Sequence, residues 1–239
     1  MKGIDISDYQ KGLNISSLKS RGIDFIILKL GYGTNIVDSC FKQFYNDAAS
    51  AGIPVGAYFY SLATTEEEAI RDAKKALSIA GGRSLPLGIY MDVEEKSQLA
   101  LRDSVLTSVV KAFCDTIRAG GYTPGAYGSA GQLWAKVGPS YVGPDILVWK
   151  AQWSNTCPKD CDLWQYSSTT HIDGYNGPVD GDNAVSERFI NLIKGNKPSI
   201  DPNPEPEPTK NEEYTVEVPI KKSSTVDEII IRIKFKMEE

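Results

Sequence analysis

Leu87-Gly88-Ile89-Tyr90-Met91-Asp92-Val93-Glu94 is an apolar run that ends in two carboxylates, and its reading decides the fold. Aliphatic and aromatic residues without a helical period predict a buried strand. Side chains two apart on a strand share a face, about 6.6 Å apart at the usual rise. Asp92 and Glu94 are therefore expected to project together from the strand's end, within reach of one small substrate. Two carboxyl groups that cannot both ionise freely push their pKa values apart, so that one can serve as acid and another as base. The competing reading is a solvated acidic cluster, because Glu95 and Lys96 follow at once.

Outward from this segment, strand-like and helix-like stretches alternate. Residues 2–6 read as a first strand, Asp24-Phe-Ile-Ile-Leu-Lys-Leu30 as a second and Pro54-Val-Gly-Ala-Tyr-Phe-Tyr60 as a third. After the strand ending at Asp92 come Thr123–Tyr127, Ile146–Lys150 and Asp162–Tyr166, then a last short one near His171-Ile172-Asp173. One helix is predicted to start at Thr64-Thr65-Glu66-Glu67-Glu68, where a threonine can cap with a glutamate three residues on. Its apolar stripe runs through Ala69, Ile70, Ala73, Ala76 and Leu77, and Gly81-Gly82 ends it. A second covers roughly Leu101 to Ala119, closed by Gly120-Gly121. Strands alternating with helices imply a parallel sheet, and about eight strands in one domain favour a closed barrel. The fold class expected is α/β: an irregular TIM-like β/α barrel over residues 1–196, with fewer helices towards its C-terminal end.

The composition changes at Lys197. Pro198, Pro202, Pro204, Pro206 and Pro208 alternate with acidic residues over 197–210 and predict a stiff, extended linker. Residues 211–239 read as a small tail of two strands, Tyr214–Ile220 and Glu228–Met237. Fewer than about 30 residues rarely fold unaided. The tail is therefore expected to pack on the barrel, to pair with tails of other chains as a homo-oligomer, or to belong to a wall-binding module; self-association is preferred.

Other classes are disfavoured by what the chain lacks. Of its 239 residues 41% are hydrophobic and 24% charged, ordinary for a globular protein with a sizeable core. A formal charge of −5 argues against a nucleic-acid partner. No apolar run is long enough to enter a membrane. The start, Met1-Lys2-Gly3-Ile4-Asp5, lacks the apolar segment of a signal peptide. With one histidine, His171, a zinc site or a Ser-His-Asp triad has little to build on. No metal and no cofactor are expected. Cys40 and Cys114 read as isolated core residues, whereas Cys157 and Cys161 bracket a turn and fit either a disulfide or two thiols.

In a parallel barrel the strand C-termini share one rim, where catalytic groups collect. The first strand brings Asp5 to it, followed by Ile6-Ser7-Asp8-Tyr9-Gln10. The third brings Tyr58 and Tyr60, and the fifth Tyr127. Trp149, Trp153, Trp164 and Tyr166 follow, then Asp180 in Pro178-Val179-Asp180-Gly181-Asp182. Asp173 and Asp182 read as loop residues. Carboxylates among aromatic faces suit a sugar, whose C–H faces stack on rings while its hydroxyls bond to acids.

With these pieces in order, residues 1–195 resemble the glycoside hydrolase family 25 lysozymes, muramidases that cut bacterial peptidoglycan. The matching segments are Gly3–Ser7 with Gln10, Asp38 with Phe41 and Asn46, Ala51–Tyr58, Asp92-Val93-Glu94, Trp149–Ala151, Trp164–Tyr166 and Val179-Asp180. The family usually carries histidine after the third-strand tyrosine; here Phe59 stands there, on the strand's opposite face by alternation.

The resemblance implies that Glu94 is the general acid. Asp92 would be its partner, stabilising positive charge near the anomeric carbon or orienting the 2-acetamido group. Asp5 and Asp180 match the remaining acidic residues of that site, and Tyr58 its tyrosine. Tyr60, Tyr127, Trp153 and Tyr166 are the other expected substrate contacts. The reaction implied is hydrolysis of the β-1,4 bond from N-acetylmuramic acid to N-acetylglucosamine, with retention and substrate assistance. A glycan-binding module on a retired enzyme scaffold and a hydrolase of another acetamido glycan such as chitin are the alternatives. Without a leader, the protein is expected to be made in the cytoplasm and released to the wall, as a phage endolysin is through a membrane hole made by another protein.

Overall fold

The computed structural model describes residues 1–33, 36–138 and 142–195, together with two strands at Tyr214–Ile220 and Ile229–Phe235. The chain divides into two compact units, Met1–Ile200 and Asp201–Glu239. The stretch 197–210, expected as a linker, lies outside the described residues.

The first unit is a closed barrel. Its strands are β1 (Lys2–Ile6), β2 (Phe25–Tyr32), β3 (Ile36–Val37), β4 (Val55–Tyr60), β5 (Ile89–Asp92), β6 (Pro124–Ser129), β7 (Leu147–Ala151), β8 (Leu163–Ile172) and β9 (Tyr175–Ala184). The sheet order is β1-β9-β8-β7-β6-β5-β4-β2-β3, and β1 also pairs with β2, which closes the ring and leaves only the short β3 outside it. Each neighbouring pair from β1 round to β8 is parallel. The exception is β9, antiparallel to both β8 and β1.

The last strand differs from its expected place. His171 and Ile172 end β8, Asp173 and Gly174 make a turn, and β9 returns over Tyr175–Ala184. Hydrophobic alternation gave no sign of β9 because two of its inward positions are Asp180 and Asp182, and Pro178 is a poor strand residue. Asp182 is thus a strand residue and not part of a loop.

Helices cover the outside: α1 (Phe41–Ser50), α2 (Glu66–Ala80), α3 (Lys96–Leu99), α4 (Asp103–Ala119), α5 (Leu133–Lys136) and α6 (Glu187–Gly195). No helix separates β7, β8 and β9, so the C-terminal part of the barrel is irregular. Of the two threonines before α2, Thr65 is the cap: its hydroxyl accepts from the Glu68 N–H at 3.2 Å. Gly81, at φ +54°, takes the left-handed conformation that ends the helix.

Strand alternation sorts the core into two layers. Ile26, Leu28, Val55, Ala57, Phe59, Ile89 and Met91 face the helices, so Phe59 lies away from the barrel interior. Inside stand Phe25, Ile27, Leu87, Tyr90, Leu147, Trp149 and Leu163, joined by Phe189 and Ile193 of α6. Phe189 meets Phe25 edge-on, with ring centroids 5.6 Å apart, and plugs the end where the strands begin. Arg188 holds the plug by pairing with buried Asp162 and donating to the Ile146 carbonyl. Gly3 and Gly125 leave room for rings: a Cβ at either would come within 2.3 Å of Phe25 or Tyr90.

Cys40, Cys114, Cys157 and Cys161 are all thiols. Cys114 is buried on α4 against the Gly125 carbonyl, and burial pushes its thiol up to about 12, an unreactive core residue. In the second unit β10 (Tyr214–Ile220) and β11 (Ile229–Phe235) pair antiparallel, Tyr214 opposite Phe235 and Ile220 opposite Ile229.

Candidate active site

At the rim where the parallel strands end, a cleft of about 230 Å³ opens. Its lining includes Asp5, Tyr58, Tyr60, Asp92, Glu94, Tyr127 and Asp180, so the four expected carboxylates and three of the expected tyrosines meet in one place. Register explains the convergence. Asp5 of β1 lies opposite Asp180 of β9. Tyr60 neighbours Asp92, which neighbours Tyr127, across the parallel strands β4, β5 and β6. Val93 turns outward into the helix-side core, so alternation carries Glu94 back to the cleft.

The four carboxyls differ in setting. Asp92 is buried, and its Oδ1 has no hydrogen-bond partner. Burial first, and the Glu94 charge second, hold its pKa well above the ordinary value. Glu94 stands at the mouth with more open surface, yet the protein around its carboxyl still raises its pKa, against the nearby Tyr127 hydroxyl and the charge of Lys29. Asp5 is pushed up to about 8 by burial and by Asp180, and Asp180 to about 6 by burial and Glu94. A free cleft at neutral pH therefore keeps protons that exposed carboxylates would have lost.

Aromatic rings form the floor and one wall. Trp149 lies under the cleft, with Tyr58, Tyr90 and Tyr127 around it at centroid distances of 6.1, 5.4 and 4.3 Å. Tyr127 donates to Gln165 Oε1 at 2.9 Å, and Gln165 Nε2 donates to Asp5 Oδ2 at 2.9 Å. Tyr60 donates to Glu95 at 2.7 Å, which ties down the residue after Glu94. Glu95 is thus a structural partner, not a free surface charge.

Trp153 and Tyr166 do not line this cleft. They border a shallow neighbouring groove with Ser154, Asn155 and Ser167–Thr169. Trp153 is well exposed, and its indole N–H donates to Gln165 Oε1 at 3.0 Å, so groove and cleft share one hydrogen-bonded residue. Trp164 points out of the barrel and donates to the Gln152 carbonyl at 2.8 Å. His171 is exposed beside Asp173, at the tip of the hairpin.

Three contributors were not singled out from the sequence. Lys29 lines the cleft, with the rings of Tyr9, Tyr32, Tyr58 and Tyr60 within 5.4–6.0 Å. A lysine at an inward position of an otherwise apolar strand, two residues after Ile27, was the available signal. Gln165 likewise alternates with Leu163. Asp182 was hidden by its turn-like neighbours.

A closed β/α barrel whose rim gathers carboxyls among aromatic rings is a glycosidase architecture. The model of the glycosyl hydrolases family 25 matches residues 4–175, and the chain belongs to that family. It is 27% identical over 207 residues to an autolytic lysozyme of Clostridium acetobutylicum, covering 84% of this chain and 60% of that protein. The chain thus spans about three fifths of that relative's length. Among solved structures, the lysozyme from Streptomyces coelicolor superposes with a TM-score of 0.71 at 26% identity, over 82% of this chain and 97% of that one. The catalytic domain of endolysin ply40, from bacteriophage P40 of Listeria monocytogenes, gives 0.71 at 25% identity, over 82% and 98%.

Proposed function

We propose that this chain hydrolyses bacterial peptidoglycan at the β-1,4 bond from N-acetylmuramic acid to N-acetylglucosamine, with Glu94 as general acid. The observation that carries the reading is Asp92 Oδ1, a buried oxygen in the cleft wall without a partner, beside a glutamate whose surroundings favour its protonated form. An unpaired buried acceptor costs about 1–3 kcal/mol. The N–H of a 2-acetamido group would satisfy it.

In this mechanism Glu94 gives its proton to the glycosidic oxygen as the C–O bond breaks, and the leaving sugar keeps that proton. Asp92 accepts the acetamido N–H, and the acetamido carbonyl oxygen attacks the anomeric carbon as the glycosidic C–O bond breaks, closing a five-membered oxazolinium ring. A water then opens the cyclic intermediate, giving its proton back to Glu94, with retention overall. Asp5 and Asp180 surround the anomeric region with negative charge as they ionise, and Tyr58, Tyr60 and Tyr127 supply faces and hydroxyls for the sugar. Trp153 and Tyr166 extend the glycan path beyond the cleft.

Glu94→Gln is expected to lower clearing of a Gram-positive wall suspension by about 10²–10⁴-fold, with an unchanged melting temperature. A variant that clears walls at the wild-type rate would overturn the assignment. Mass spectrometry of the products is expected to find new reducing ends on N-acetylmuramic acid; equal cleavage of chitin oligomers would instead point to a broader acetamido-glycan hydrolase. The site of action is the cell wall after release, as for a phage endolysin. Residues 211–239 are read as a self-association element. Size-exclusion chromatography of the full chain against a truncation after Gly195 tests it, and equal apparent size per chain would remove it.

A further inference from the structure

Behind the cleft wall lies a fifth carboxyl that the proposed mechanism does not use. Asp182 has no exposed surface, so it cannot touch a sugar. It sits on β9 two residues from Asp180, opposite Gly3 of β1 and opposite Gln165 of β8. Gly3 has no side chain, and the space a Cβ would take there is filled by the Phe25 ring. Asp182 Oδ1 accepts from the Trp149 indole N–H at 2.9 Å. Its other oxygen, Oδ2, is buried without a hydrogen-bond partner, and the Asp5 carboxyl on the adjoining strand is close enough to act on its proton.

Two carboxyl groups can share a hydrogen bond only if one of them carries the proton. Asp5 already accepts from Gln165 Nε2 and opens to the cleft, where water or substrate can stabilise a charge. Asp182 is sealed, and its oxygen without a donor fits one that bears hydrogen itself.

We propose that Asp182 is a positioning residue for the active site: it keeps a proton on Oδ2, donates it to Asp5, and is fixed in turn by the Trp149 indole. The inference rests on the reading of Asp5 as an active-site carboxylate. Its consequence is a chain of contacts from the cleft floor to the catalytic rim, Trp149 to Asp182 to Asp5 to Gln165 to Tyr127. The hydrogen bond donated to Asp5 favours the ionised form of Asp5 and eases the loss of its proton.

Asp182 faces Asp5 of β1, Asp180 of its own strand and the Tyr90 hydroxyl of β5. Asp5 faces Asp180, Asp182 and Glu94, and its charge also reaches Asp92, Tyr58 and Tyr127. Lys29 acts on Asp92 and Glu94. Apart from Lys29, these neighbours are acids or phenols, so burial and repulsion both favour the neutral form of Asp182.

Asparagine reproduces the proposed state of Asp182: its amide N–H₂ can donate to Asp5 while its oxygen accepts from Trp149. Alanine offers neither. Carboxyl ¹³C NMR on aspartate-labelled protein tests this without requiring activity. The wild-type signal that disappears in Asp182→Asn is expected to stay at its protonated position through pH 7. Asp5 is expected to titrate within about half a pH unit of wild type in Asp182→Asn and about one unit higher in Asp182→Ala.

Wall lysis should follow. Asp182→Asn retains the pH profile, whereas Asp182→Ala moves its acid limb up and loses about tenfold on that side. A purely structural role would lower melting temperature in Asp182→Ala without moving the titration of Asp5. An Asp182 signal that titrates near 4, or an Asp5 titration that falls by a unit or more in Asp182→Asn, would overturn the proposal, because a lost negative charge would then be the cause. Asp182→Asn decides the matter even if Asp182→Ala does not fold. If the wild type fails to lyse walls at all, the functional reading fails while the titrations still decide the proton on Asp182.

Discussion

Replacing Asp5 by Asn is expected to make the barrel more stable and the enzyme less active. An aspartate in an unfolded chain titrates near 3.9. In the fold Asp5 is pushed up to about 8, by burial first and by the Asp180 charge second. The folded state therefore binds the Asp5 proton more tightly than the unfolded state does. Its contribution to stability is fully present below pH 4 and is lost as the pH rises through the folded value. At pH 7 the shift corresponds to at most roughly 4 kcal/mol in favour of unfolding. Structural relaxation and the altered hydrogen bond to Asp182 reduce the gain from removing the carboxyl to about 1–3 kcal/mol. For a domain of this size that is a rise of about 3–8 °C in melting temperature.

Calorimetry of both proteins at pH 4, 6 and 8 measures the difference. The gap is expected to be small at pH 4 and to widen steadily to pH 8, while wall lysis at pH 6 falls at least about tenfold. A variant less stable than wild type at pH 8, or a gap independent of pH, would refute the reasoning. Either result would mean that the Asp5 carboxylate is already well solvated or well paired in the fold.

Two further outcomes test the barrel and the groove. Gly125→Ala places a methyl within 2.3 Å of the Tyr90 ring, which is fully buried against Trp149; despite the better strand propensity of alanine, thermal denaturation is expected to show a loss of about 1–3 kcal/mol, and an unchanged melting temperature would mean the ring can move. Trp153→Ala removes an exposed indole bonded to Gln165; the concentration of soluble peptidoglycan giving half-maximal rate is expected to rise about 3- to 10-fold with kcat within about twofold, equivalent to roughly 1 kcal/mol of binding, and an unchanged half-saturation would remove Trp153 from the glycan path.

Most of the ring was legible because its strands are short apolar runs bounded by glycine and proline, and its long helices carry caps and an apolar stripe. Strand period also placed Asp92 with Glu94 and sent Phe59 to the other side. The same method failed at β9, whose inward face holds Asp180 and Asp182 where a core strand would hold aliphatics. Local pattern reports burial through hydrophobicity, so a strand that buries acids looks like a loop.

The residues alone determined that this chain carries an alternating α/β barrel with acids at the ends of its strands, because period, caps and turn residues are local properties. They could not decide which acids meet, since that depends on closure. The pairing of β1 with both β2 and β9 brings Asp5, the one acid of a five-residue strand, opposite Asp180. That same closure buries Asp182 against Asp5 and Trp149, and it separates Trp153 and Tyr166 into a neighbouring groove. Burial, and with it the proton affinity of each carboxyl, is a property of the closed ring, because it is set by atoms distant in the chain.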